Sequence, residues 1–125
     1  MSNFKRILLS SLALLTIAVG AAETAGGRVL ACNMKALTSE QRTQHLALSV
    51  RLLKVAKRTE LKDGYLFTVD REKVSVAELA EWVANESRCC PAVDYHLELP
   101  ASGPLTLRLD GGVDVKEFLA AEMGL

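Results

Sequence analysis

Cys89 and Cys90 are adjacent, fall at the end of an expected helix and are followed at once by Pro91. Cys32 is the only other cysteine. The thiolate, not the thiol, attacks electrophiles and binds metals. A helix C-terminus carries partial negative charge and disfavours that anion. Arg88 offsets the effect, whereas Glu86 and Asp94 add to it. The pair is therefore badly placed for a fast nucleophile of the Cys-x-x-Cys type. A soft ion is less demanding, because it displaces the thiol proton as it binds. Thiolate sulfur favours Cu(I), Zn and similar ions.

Three arrangements of the sulfur follow. Successive side chains of an extended strand point to opposite faces, but at a helix-to-strand corner Cys89 and Cys90 can converge. With Cys32 they would make a three-sulfur metal site. In an oxidising compartment, Cys32 can instead pair with Cys89 or with Cys90. Closing so long a loop stabilises a fold by about 4 kcal/mol in the chain-entropy model, and one thiol is left over. A Cys89–Cys90 bridge needs a strained ring and gives a labile bond. His96 is a conceivable fourth ligand, yet it alternates with Asp94 and Glu98 on a polar strand face, so it reads as a solvated histidine. His45 on the first helix receives the same reading.

The elements that must position these residues are legible from caps and periodicity. Thr38 to Leu53 reads as the first helix: Thr38 with Gln41 makes a capping box, and Leu46, Val50 and Leu53 recur at helical spacing, with Leu52 beside them. A hairpin follows, Val55 to Leu61 and Tyr65 to Val69, with Asp63-Gly64 as a tight turn in which both positions tolerate positive φ. Ser75 and Glu78 cap a second helix from Val76 to about Arg88. Pro91 cannot continue it and pushes Cys90 toward an extended conformation.

A second hairpin has Val93, Tyr95, Leu97 and Leu99 alternating with polar residues, then Leu105, Leu107 and Leu109 doing the same. Asp114 and Glu117 are expected to cap a last helix, which Gly124 ends. Trp82, Tyr65, Phe67 and Tyr95 read as core. Gly64 to Leu79 and Gly103 to Phe118 share a weak repeat, with Val74-Ser75-Val76-Ala77-Glu78 matching Val113-Asp114-Val115-Lys116-Glu117. The expected fold class is α+β, in the order α-ββα-ββα, with a four-stranded antiparallel sheet and helices packed on one face.

The N-terminus reads as an export signal over residues 1–22, with an uncleaved anchor as its alternative. Lys5 and Arg6 precede an apolar run from Ile7 to Val19, and Gly20, Ala21 and Ala22 offer a cleavage site. Residues 23–31 form a small-residue lead-in, and residues 32–125 a single domain. Val29-Leu30-Ala31-Cys32 loosely resembles a lipoprotein processing site, but charged residues separate it from the apolar run. Fifteen Lys plus Arg balance fifteen Asp plus Glu, which argues for neither nucleic acid nor an anionic membrane surface. One glycine pair, Gly111-Gly112, is weak evidence for phosphate binding. No Ser-His-Asp pattern, metalloprotease motif or spaced carboxylate pair is present.

The run Glu86-Ser87-Arg88-Cys89-Cys90-Pro91 resembles a motif of small uncharacterised bacterial proteins. Those proteins carry an early Cys followed by Leu-Thr-x-Glu-x-Arg, a Gly-Tyr-x-Phe strand, Glu-x-x-Cys-Cys-Pro and a Gly-Val-x-x-Phe-Leu helix. The matching segments here are Cys32, Leu37 to Arg42, Gly64 to Phe67, Glu86 to Pro91, and Gly112-Val113 with Phe118-Leu119. The family pattern continues Pro-Phe where this chain has Pro91-Ala92. The resemblance implies that Cys32 and the pair form one spatial cluster; it implies no activity.

The resulting expectation is an exported, periplasmic or secreted binding module. Cys32, Cys89 and Cys90 would hold a soft metal or metalloid ion, with Glu86 and Arg88 tuning them. Its alternatives are a disulfide-stapled interaction domain, pairing through a sheet edge or helix face, and a thiol–disulfide oxidoreductase using the adjacent cysteines.

Overall fold

The computed structural model describes residues 24–25 and 28–125, with side chains from residue 29 onward. The export-signal reading of residues 1–22 lies outside the described residues. Two short strands, β1 (Thr24–Ala25) and β2 (Arg28–Val29), pair with each other ahead of Cys32. A single 3-10 turn, Met34–Ala36, leads to helix α1, Ser39–Val55. Strands β3 (Lys57–Glu60) and β4 (Gly64–Val69) form a hairpin that feeds α2, Val76–Cys89. Strands β5 (Asp94–Glu98) and β6 (Leu105–Asp110) repeat the arrangement and feed α3, Val113–Met123.

The architecture is α+β, as the alternation and caps indicated. The sheet is antiparallel throughout, in the order β3-β4-β6-β5. The two ββα units thus set their second strands side by side, which gives the internal repeat a structural meaning. Tyr65, Phe67 and Val69 lie opposite Leu109, Leu107 and Leu105 across the β4–β6 pair, and all six are buried. Alternation at period two sends these side chains to one face. Leu79 and Trp82 of α2 and Val115 and Leu119 of α3 complete the same core.

Thr38 and Ser75 form the two expected capping boxes, each accepting from the third residue of its helix while Gln41 or Glu78 reaches back. Such a cap contributes about 1 kcal/mol. The third helix departs from the expected cap. It begins one residue before Asp114, at Val113, and Gly112 is the cap at φ 107°, with no side-chain bond. Only glycine enters that region cheaply. Asp114 instead lies in the first turn, where its charge suits the helix dipole.

The Asp63-Gly64 turn forms, with Leu61 N–H donating to Gly64 carbonyl oxygen at 2.9 Å. Its glycine serves a different purpose from the one expected, because Gly64 is not among the glycines with positive φ. A Cβ at Gly64 would sit 1.9 Å from the Leu109 carbonyl oxygen. The residue is small because β6 passes against it.

The first helix is turned relative to its expected stripe. Leu46 and Val50 are exposed, at 55% and 69%, whereas His45 and Leu52 are buried. Leu48 and Val55 pack partly against the core on that same side. The inward face therefore runs 45, 48, 52, 55, and a histidine occupies one of its places.

Candidate functional site

The C-terminal turn of α2 meets the loop that carries Cys32. Asn33 N–H donates to the Cys89 carbonyl oxygen at 2.8 Å, and the Arg88 guanidinium donates to the Ala36 carbonyl oxygen at 3.0 Å. These bonds hold the Cys32 segment across the helix end. Cys32 and Cys90 are joined by a disulfide, their Cα atoms 4.4 Å apart. Of the pairings open to Cys32 from sequence, this is the one formed.

Cys90 caps α2 outside helical geometry, at φ −121° and ψ 74°, and its N–H donates to the Glu86 carbonyl oxygen at 2.7 Å. Pro91 enforces the turn, since the residue before proline avoids the helical region. The change of direction separates the neighbouring cysteines. Cys89 is still helical and is a free thiol, 1% exposed. Burial pushes its thiol up above the ordinary value; Glu86 adds to the shift and Arg88 opposes it. The structure brings Cys32 and Cys90 together and does not place Cys89 among the clustered donors.

Glu86 joins them. One turn before Cys90, its Oε1 lies 3.4 Å from the Cys90 sulfur. The donor atoms of Cys32, Glu86 and Cys90 all lie within 4.8 Å of one another. The other carboxyl oxygen, Oε2, is paired with Nε2 of His45. The solvated reading of His45 is thereby corrected. It is 2% exposed, because α1 packs on α2 and its ring stacks on Trp82 with centroids 5.7 Å apart.

Ser49 extends the network by donating to the His45 carbonyl oxygen at 2.8 Å and accepting from Trp82 Nε1 at 2.8 Å. His45 Nδ1 is buried with no hydrogen-bond partner. An unmet buried polar atom costs about 1–3 kcal/mol. The fold therefore bears a cost to keep this ring against Glu86. A helical periodicity of apolar residues cannot find such a position; the one available signal was the spacing of Glu86 and Cys90, four residues apart and so on one helix face.

A cleft of about 270 Å³ opens over the cluster, lined by Cys32, Cys90, Glu86 and His45 with the thioethers of Met34 and Met123. Tyr95 donates its hydroxyl to the Cys90 carbonyl oxygen at 3.1 Å. Its phenol is pushed up, by burial first and then by Glu86 and Cys89. His96 lies away from this cluster, on β5. It pairs with Asp110 at 2.9 Å, and Arg108 also reaches Asp110.

No protein-family model, curated protein or solved structure matches the chain. Among the described residues, no helix is long and apolar enough to cross a membrane.

Proposed function

We propose that this is an exported binding module for a thiophilic ion, held by Cys32 and Cys90 once their disulfide is reduced. The observation that carries the reading is the convergence of both sulfurs and the Glu86 carboxyl at the floor of one cleft. A stapling disulfide needs no carboxyl against its sulfur and no cleft above it. Reduction by a dithiol transfers two electrons and two protons to the Cys32–Cys90 bond and leaves the reductant as its own disulfide. The two thiols then lose their protons to the ion that binds them. In the oxidised form both sulfurs are bonded to each other, so the same bond closes the ion site and staples the fold.

The test is the Cu(I) affinity of reduced and oxidised protein, measured against a competing chelator. Reduced wild type and C89S should bind alike, whereas oxidised protein and C32S/C90S should not bind. Equal binding by C32S/C90S and wild type would end the proposal.

A further inference from the structure

Resting on that reading, we infer that Glu86 is the third donor of the site and His45 its positioning residue. The set is then two sulfurs and one oxygen, which fits a zinc-class divalent ion with a position left open. Cu(I) is satisfied by sulfur alone and gains little from a carboxylate, whereas zinc-class ions accept sulfur, nitrogen and carboxylate oxygen together. Glu86 is thus the residue that sets the choice between the two classes.

Three observations converge on it. Glu86 Oε1 lies 3.4 Å from the Cys90 sulfur, inside a group whose donor atoms span no more than 4.8 Å. Its other oxygen is paired with His45, so one oxygen is fixed while the other faces the sulfurs. Ligating groups are oriented in this way by hydrogen-bonded partners in metal sites. Finally, His45 is the one buried polar residue among the described core, stacked on Trp82, with its remaining nitrogen unpartnered. Stacking on Trp82 asks only for an aromatic ring, and the ring's one side-chain hydrogen bond goes to Glu86, so orientation of Glu86 is what a histidine adds there.

Co2+ is the probe for the zinc class, because its visible spectrum reports the donor set, and Cu(I) is the control. Both are titrated into reduced full-length protein. E86A should weaken Co2+ by at least ~10-fold and alter the visible bands, with Cu(I) affinity nearly unchanged. H45F keeps the ring stacking but lacks the bond to Glu86, and should weaken Co2+ by about 10-fold. H45Q, which can still donate to Glu86, should restore most of the Co2+ affinity. Unchanged Co2+ affinity and spectrum in E86A, with Cu(I) still requiring Cys32 and Cys90, would overturn this inference alone. Failure of the reduced wild type to bind either ion would overturn it together with the binding reading. Equal loss of both ions in E86A and H45F would assign the two residues to the fold and not to ion choice.

Discussion

Cys89 and Cys90 are neighbours in the chain and differ in chemical state, the first a buried thiol inside α2, the second bonded to Cys32 beyond the helix end. The break between helix and cap, enforced by Pro91, makes the difference. It predicts one thiol per chain in the oxidised protein, unreactive to an alkylating agent until the fold is opened. Peptide mapping after labelling under denaturing conditions should place the label on Cys89. Rapid labelling of native protein, or label at Cys32, would contradict the assignment.

The disulfide closes a loop with a sequence separation of 58 residues. Its loss should cost about 4 kcal/mol in the chain-entropy model. For a domain of this size that is a fall in Tm of about 20 °C, read by calorimetry with and without reductant or in C32S. A shift of only a degree or two would mean that the bond does not restrain the unfolded chain as described.

High pH should destabilise the protein through Cys89 and Tyr95. Both groups are held above their ordinary values, 9.0 and 10.0, chiefly by burial. A raised native value means that the native state holds its proton more tightly than the unfolded chain. The stabilising contribution is complete below the unfolded values and is lost as pH rises above them. Urea midpoints should therefore hold steady up to about pH 9 and fall beyond it. C89A and Y95F should each flatten part of that fall. A midpoint rising between pH 9 and 11 would contradict the sign.

Much of the fold was legible because it rests on local rules. The capping boxes at Thr38 and Ser75 and the alternation of Leu105, Leu107 and Leu109 specify helices and strands without help from distant residues. The repeat between the two ββα units supported the element order, whereas the central β4–β6 pair became visible only in the sheet itself. Helix α1 was harder, since Leu46 and Val50 mimic an apolar stripe while its inward face holds His45. What makes that position inward is Trp82, far along the chain, and one helix's own periodicity carries no record of it. The same holds for the site. The cysteines announce themselves, but their division into bonded Cys90 and free Cys89 depends on where α2 ends against the Cys32 loop.

Gly64 tests the packing of the central strands. Because a Cβ there meets the Leu109 backbone at 1.9 Å, G64A should separate β4 from β6 locally and cost about 3 kcal/mol or more. The turn itself imposes no positive φ at Gly64, so G64A measures strand contact and not turn geometry. A urea midpoint equal to wild type would contradict the close approach.

Reduced Cys32 and Cys90 are proposed to hold one ion between them. Native mass spectrometry of reduced full-length protein with Cu(I), followed by thiol labelling, reads this out. One ion per chain is expected, with Cys32 and Cys90 shielded from label, and no ion on C32S/C90S. An ion-free reduced wild type, or an ion retained by C32S/C90S, would contradict it and leave the disulfide as a staple.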